Sequence, residues 1–319
     1  GQVVGYASDQ RNSGLEWLYL TYSPNSALQV KLGRQRLPFF TYSDSLDIGF
    51  AYPWLTLPQQ VYDTAFFSTF DGALASYEFA INDWVINYEG YWGRFDDKIY
   101  LASQNINTQV IGLYGVNATV GYKNFIVRAS YGQGDIDIEQ DEVAQFSQLL
   151  RQFGFTKNAD WLNANGLLQF YQLSANYEDL DYFVRSEFAK VKGAGGLFAD
   201  IDSFYISAGY NFYPYTVYIS YSKKDLHFDH IASEIPFGFS PDLDVLAATY
   251  LGVLAAFPDD KSTGTKLGLR WDWHTNLALK AEMTFVQAKD VISNDYAVKD
   301  LGNFDGQAVL YQLGIEWVF

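Results

Sequence analysis

The sequence predicts an all-β fold, a transmembrane antiparallel β-barrel of about fourteen strands, carried by one domain over residues 1–319. Three observations predict it. Segments of roughly ten residues alternate apolar and polar side chains, the period of a strand with two unlike faces. The connections between them alternate between short turns and long loops. Aromatic residues, 18% of the chain, gather at the segment ends. Strands of ~9–11 residues cross a tilted bilayer, and rings at headgroup depth form the girdles of such barrels.

The composition narrows the class. Formal net charge is −16, with one Met and no Cys. Without cysteine there is neither a disulfide framework nor a thiolate metal site. The acidic balance opposes a nucleic-acid partner, which needs basic patches. No stretch approaches ~18 apolar residues, so no transmembrane helix is expected; the most apolar window, DVLAATYLGVLAAF, is too short. The chain opens on Gly1 without a cleavable leader, and is expected to be mature or trimmed.

The strands follow in order. In NFIVRASYGQ (124–133), Phe125, Val127, Ala129 and Tyr131 face one way, Arg128 and Ser130 the other. LQFYQLSANY (168–177) sets Tyr171, Leu173, Ala175 and Tyr177 against Gln172, Ser174 and Asn176. SFYISAGYNF and TVYISYSKK repeat the pattern. TKLGLRWDW (265–273) turns Leu267, Leu269, Trp271 and Trp273 away from Lys266, Arg270 and Asp272. LALKAEMTFV (277–286) separates Leu277, Leu279, Ala281, Met283 and Phe285 from Lys280, Glu282 and Thr284. LYQLGIEWVF (310–319) ends the chain with Tyr311, Leu313, Ile315, Trp317 and Phe319 on one face, and Phe319 reads as the last outward residue of the closing strand. Short turns fall at SPNS, ND, YKN, EDLD, FYPY and WHTN. Long loops are expected near 37–74, 95–108, 134–167, 193–202, 227–263 and 289–306.

One segment breaks the period. In 139–155, Val143, Phe146, Leu149, Leu150 and Phe153 recur at helical spacing. The reading is a short amphipathic helix within the extracellular loop 134–167, packed on its own loop.

The stretch 32–72 is too long for a turn and carries Pro38, Pro53 and Pro58 and few charges. Loops of this length are usually functional. GRQRLPFF, DIGFAYPW and LPQQVY resemble the segment that follows a strand ending in LGR in porins of the Gram-negative outer membrane. Leu57 stands where the family pattern has the first of two prolines. The terminal phenylalanine is similar to the ending of barrels inserted by the outer-membrane assembly machinery. The resemblance covers about 40 residues. It implies an outer-membrane location, a homotrimer, a loop 37–74 folded into the lumen, and a sixteen-stranded barrel of which two N-terminal strands lie outside this sequence. A complete chain would instead match a fourteen-stranded barrel of the fatty-acid-transporter kind.

Phased on the aromatic stripe, the inward positions are Lys31, Glu78, Glu89, Arg128, Arg185, Glu187, Lys224, Lys266, Arg270, Asp272, Lys280, Glu282 and Glu316, seven bases and six acids. Most of the acid excess then lies in loops, and the lumen is expected to be less negative than the protein, with a basic wall. Arg34 and Arg36 flank the inserted loop. One reading makes them a cationic strip facing Asp44 and Asp47, the other makes them ion-paired pins of the loop. Arg128, Arg185, Arg270 and Lys280 are candidates for selectivity. The alternative for the three arginines is pairing with Glu187, Asp272 and Glu282 on neighbouring strands. Tyr52 and Trp54 either line the narrowing or anchor the loop to the wall.

No catalytic or cofactor-binding constellation emerges. The histidines are His227, His230 and His274, and HFDHIASE reads as a solvated strand end rather than a metal patch. No phosphate-binding Gly-rich loop occurs. DIDIEQDE reads as a solvated acidic loop; divalent ions bridging it to lipopolysaccharide are the other option. The expected function is passive diffusion of small hydrophilic solutes or ions. A substrate-specific anion channel and a structural or adhesin barrel are the alternatives.

Overall fold

The computed structural model describes residues 1–5, 13–64, 66–101, 104–288 and 305–318. Fourteen strands form one sheet in sequence order, each antiparallel to the next. They are β1 (Gln2–Val4), β2 (Gly14–Tyr22), β3 (Leu28–Arg36), β4 (Thr69–Ile81) and β5 (Trp84–Leu101). Then come β6 (Gln104–Tyr122), β7 (Phe125–Ile138), β8 (Asn165–Glu178), β9 (Tyr182–Lys192) and β10 (Asp200–Phe212). The last four are β11 (Tyr215–His227), β12 (Asp260–His274), β13 (Leu277–Ala288) and β14 (Gln307–Trp317).

The register lines up the apolar stripes strand by strand. Trp84, Ile86, Tyr88 and Trp92 of β5 stand opposite Tyr122, Val120, Ala118 and Tyr114 of β6. Leu279 and Phe285 of β13 stand opposite Ile315 and Val309 of β14. A slip of one residue would move every such side chain to the other face, so the register is fixed by which face meets hydrocarbon. Among the described residues of the chain this outer face lies open, and Leu313 is 86% exposed. On β4 the outward run is Ile81, Phe79, Tyr77, Ala75 and Ala73, ending at Asp71. At ~3.3 Å per residue and ~40° tilt this run spans roughly 22 Å, close to the ~25 Å apolar band of a membrane barrel.

The turns use residues that accept their backbone. Asn82 (φ 53°) and Lys123 (φ 52°) adopt left-handed conformations in the two-residue turns after β4 and β6. In the turn after β8, Asp179 accepts the backbone N–H groups of Asp181 (2.9 Å) and Tyr182 (2.8 Å). The Tyr182 N–H in particular holds the Asp179 carboxyl below its ordinary range.

The described ladder includes no β14–β1 pairing. What the sheet encloses shows its curvature. The segment 37–68 leaves β3, and residues at its end and middle touch both flanks of the sheet: the Ser68 hydroxyl donates to Glu16 of β2 (3.4 Å), while a Cβ on Gly314 of β14 would overlap Leu55. A single short segment reaches both only if the sheet wraps around it as a barrel wall.

Wall glycines make room inside. A Cβ at Gly115 or Gly132 would overlap the hydroxyl of Tyr91, which lies across β6 and β7. Replacing Gly115 with valine is expected to destabilise the barrel by about 1–3 kcal/mol, the usual cost of overpacking. A lowered unfolding temperature in detergent would register it.

Several expected boundaries move. The loop expected at 95–108 is mostly strand, because β5 and β6 continue upward as a hairpin. The charges of Asp96, Asp97 and Lys98 mimic a loop, but Phe95 and Ile99 turn inward, and Phe95 stacks on Phe67 at 4.7 Å. The inserted loop spans 37–68 rather than 37–74, since β4 begins at Thr69, and it holds one short helix, Gln59–Tyr62 (α1). The loop after β7 spans 139–164 and holds two helices, Asp141–Gln152 (α2) and Thr156–Trp161 (α3). The segment 228–259 holds a helix that the periodicity does not predict, Pro241–Ala256 (α4). It is apolar on nearly every side, so it has no amphipathic period to detect. The Ser240–Pro241 start was the available signal: Ser240 Oγ accepts the Leu243 N–H at 3.3 Å, and proline suits the first helical position.

The helix α2 does not pack on its own loop alone. Leu150, Ala159, Trp161 and Leu162 share a second core with Ile235, Leu246, Ala247 and Tyr250 of the other loop. Trp161 donates to the Asp229 carbonyl (2.7 Å), Tyr250 to the Ile231 carbonyl (2.9 Å). The two long loops thus form one cap. Phe319 and most of the loop expected at 289–306 lie outside the described residues.

Candidate functional site

The inward face of the wall grips the segment 37–68 along its length. Glu187 on β9 is buried; it accepts the Thr41 N–H (2.9 Å) and the Tyr62 hydroxyl (2.7 Å). Glu282 on β13 accepts the Leu55 N–H (2.7 Å) and the Tyr218 hydroxyl (2.6 Å), and pairs with Lys266 (3.0 Å). The ammonium of Lys280 donates to three segment carbonyls, those of Gly49 (2.6 Å), Tyr52 (2.9 Å) and Trp54 (2.7 Å). Arg270 donates to the carbonyls of Phe50 (2.9 Å) and Tyr52 (3.1 Å), and Arg128 to that of Pro38 (2.7 Å). A segment with only short helical turns leaves many of its backbone groups unpaired, and a buried unpaired group costs about 1–3 kcal/mol. The wall supplies the missing partners as charged donors and acceptors, the stronger kind.

All thirteen inward positions expected from the alternation share the inner face, as the pairing shows: Arg185 opposes Ser207, Lys280 opposes Arg270, and Glu282 opposes Gly268. Of the partners expected for the three arginines, Asp272 is found with Arg270, though on the same strand, and the other two differ. Arg128 faces Glu89 (3.6 Å), Arg185 pairs with Glu178 (2.7 Å), and Arg270 with Asp272 of its own strand (2.8 Å). The Arg185 guanidinium also lies over the Phe183 ring at 4.6 Å and the Trp54 ring at 5.5 Å.

Arg34 and Arg36 part company. Arg34 opposes Leu18 and Asp71 on the outer face, away from Lys31. It pairs with Asp71 (3.1 Å) and Asp97 (3.3 Å), so it is not part of a cationic strip facing the segment. Arg36 is buried at the end of β3, where the ladder stops and its side chain turns in to Glu16, Asp47 and Ser68. Asp44 is exposed on a short 3₁₀ turn, Ser43–Ser45.

Tyr52 and Trp54 are both buried, and Tyr52 donates to the Leu46 carbonyl (3.1 Å). Trp54 is 0% exposed, and its indole N–H reaches Ser220 (2.9 Å) and Ser207 (3.3 Å) on the wall. It sits among Tyr42, Tyr52 and Tyr205. Sequence reasoning missed Gln60, which is buried and accepts from Ser222 at 2.6 Å, and Thr41, which donates to Ser174 at 2.9 Å. Small hydroxyl residues at inward positions of β8, β10 and β11 were the signal for both.

The lumen is therefore asymmetric. Inward side chains of β9 to β13 are mostly buried under the segment, among them Ser203, Ser222, Lys224 and Thr284. On β2 to β5 the inward Tyr19, Lys31, Ser76, Asn87 and Glu89 remain partly or fully exposed. A cavity of about 130 Å³ lies there, between the segment and the β2–β5 wall.

Solved structures share this architecture at low sequence identity. OmpT of Vibrio cholerae, an outer-membrane protein, superposes with a TM-score of 0.54 at 11% identity, covering 95% of this chain and 80% of its own. The outer-membrane channel DcaP of Acinetobacter baumannii gives 0.55 at 9% identity, covering 90% and 72%. An anion-selective porin from Comamonas acidovorans gives 0.54 at 14% identity, covering 97% and 79%. No curated protein sequence matches the chain. The sequence profile described as Gram-negative porin matches residues 5–298. With the fold, the inward-folded segment and this match in agreement, the chain belongs to the Gram-negative porin family.

Proposed function

We propose that this protein passes small hydrophilic solutes by passive diffusion across the Gram-negative outer membrane, through the gap between the segment 37–68 and the inner wall of β2–β5. The observation that carries the reading is the one-sided placement of the charged groups that hold the middle of the segment. Lys280, Arg270, Lys266, Glu187 and Glu282 fasten it to one wall, and the opposite wall keeps its polar side chains open. A homotrimer is part of this reading; a trimer form of Vibrio cholerae OmpT is among the similar structures. A catalytic role is not part of it.

An anion-specific channel needs a free basic wall. Most of the inward cations are instead committed to segment carbonyls or carboxylates, and the segment 37–68 itself brings three acids, Asp44, Asp47 and Asp63, and no Lys or Arg. The expected reversal potential in a salt gradient is weakly cation-preferring. In planar bilayers the purified protein is expected to give ohmic conductance steps, and in liposomes to admit small sugars. A barrel that inserts and does neither is structural, and the reading is then wrong.

A further inference from the structure

We propose that the outside of the wall carries a site of its own, a cleft on the extracellular flank of β6–β8 that binds neutral saccharide. It belongs neither to the lumen nor to the narrowing. The cleft is about 530 Å³, within the ~300–1,000 Å³ of small-ligand sites. Its floor is the outward side of the strands. Val110, Ile136 and Ile138 are buried on the inner side, so their chain neighbours Gln109 and Asp137 point away from the lumen. In register, Gln109 opposes Asp137 and Asp137 opposes Asn165, a row of three polar side chains across β6, β7 and β8. The roof is α2, which covers this row with Val143, Ala144, Ser147 and Gln148.

The cleft stands above the bilayer. Along β7 the outward side chains run from Phe125, Val127, Ala129 and Tyr131 to Gln133, Asp135 and Asp137. Tyr131 opposes Tyr171 where the aromatic girdle ends. Six residues at ~3.3 Å each and ~40° tilt put Asp137 about 15 Å beyond those rings. That height is clear of hydrocarbon and level with sugars that extend from the leaflet. The roof is fixed before any ligand arrives. Ser147 donates to the Ala159 carbonyl (2.9 Å), Arg151 pairs with Asp160 (2.6 Å), and Leu150 sits in the core shared with the loop 228–259. A preformed cleft spares the ligand the cost of ordering it.

The lining selects the ligand. Gln109, Gln140, Gln148 and Asn165 bring amides, each with an acceptor and two donors, the complement of a hydroxyl that does both. Asp137 and Asp141 add carboxylate acceptors. Among the described residues, none of these six side chains is engaged in a hydrogen bond or ion pair. Val143, Ala144 and Leu162 offer an apolar strip to the C–H face of a sugar ring. The charges turn other ligands away. A phosphate would face Asp137, Glu139 and Asp141, and the lining cation Arg151 is already paired with Asp160. Divalent bridging, the other option for DIDIEQDE, needs several acids gathered on one ion. Glu139 instead accepts from Asn107 (2.8 Å), and among the described residues no three acids or histidines are placed to share a metal. The hydroxyl groups of an uncharged sugar fit what remains.

Two measurements on the full protein in detergent test the site. In saturation-transfer NMR, maltotriose is expected to bind saturably, with or without a chelator, and glucose to bind more strongly than glucose 6-phosphate. Asp137→Ala is expected to weaken maltotriose about tenfold, the loss of hydrogen bonds to one charged group. Ala144→Trp, at an exposed position of the roof, is expected to plug the cleft and abolish binding. In native mass spectrometry, the outer-leaflet glycolipid is compared with the same lipid cut back to its acylated, phosphorylated disaccharide. Preference for the full saccharide, erased by Ala144→Trp, sustains the site with the leaflet's own sugar as its source. Maltotriose binding without that preference sustains it with free saccharide as the source. Neither maltotriose binding nor a glycolipid preference overturns the site. So does binding that both variants leave unchanged, which would put the sugar in the lumen, or that a chelator removes, or that glucose 6-phosphate matches. If Asp137→Ala fails to fold, Ala144→Trp decides.

Discussion

Replacing Glu282 with leucine is expected to release the middle of the segment 37–68 and turn steady conductance steps into flicker between larger and smaller levels. One carboxylate holds the Leu55 N–H, the Thr56 hydroxyl (3.1 Å), the Tyr218 hydroxyl and the Lys266 ammonium at once. It is 4% exposed, and Lys266 is 6% exposed. Leucine takes from the buried Lys266 its paired carboxylate, and breaking a buried pair by removing one partner costs about 3–5 kcal/mol. The segment is the nearest part that can move, so the cost is expected to be relieved by detaching residues 54–57 rather than by unfolding the barrel. Glu282→Gln keeps two acceptor lone-pair sites near Leu55 and is expected to perturb the current less. Measurement by single-channel noise and by proteolysis within the segment distinguishes these outcomes. Unaltered noise and unaltered cleavage in the leucine variant would show that the other clamps suffice.

Trp54→Ala is the second large effect, expected to destabilise the segment's docking by about 3–5 kcal/mol. The cause is packing rather than lost hydrogen bonds. Ser220 donates to Ser207 at 2.7 Å without help from the indole, so both hydroxyls stay satisfied when Trp54 is removed. What remains is a void among Tyr42, Tyr52, Tyr205 and the Arg185 guanidinium. Trp54→Phe refills most of that volume and is expected to recover most of the stability. The reading is a fall in unfolding temperature in detergent together with faster cleavage within 37–68. If alanine and phenylalanine behave alike, the indole N–H rather than the ring volume holds the segment.

The two predictions separate two kinds of attachment. Charged wall residues fix the backbone of the segment, and its aromatic side chains fill the space behind it: Phe39 on Phe170 (4.1 Å), Phe40 on Tyr62 (5.0 Å), Trp54 on Tyr205 (5.8 Å). The first kind sets where the narrowing stands; the second makes it stiff.

Much of this molecule is legible in its letters. Alternation alone places Lys31, Arg128, Arg185, Lys266, Lys280 and Glu282 on one face, because a strand's side chains must alternate and hydrocarbon accepts only one of the two sets. The AYPW stretch marks the segment that turns inward. The continuation of β5 and β6 past the membrane was hidden, because above the bilayer a strand no longer needs a greasy outer face and its charges read as loop. The helix Pro241–Ala256 was hidden for the opposite reason, its apolar residues surrounding it without a period.

Periodicity by itself determined the fold, the inner face and the identity of the charges upon it. Only the tertiary structure decided what those charges do. The sequence puts Lys280 and Gly49 more than two hundred residues apart, and no pattern states that an ammonium on β13 closes on a carbonyl of the segment after β3. That pairing follows from a wrapped sheet bringing distant strands around one irregular segment, whose unpaired backbone groups must find partners wherever the wall supplies them.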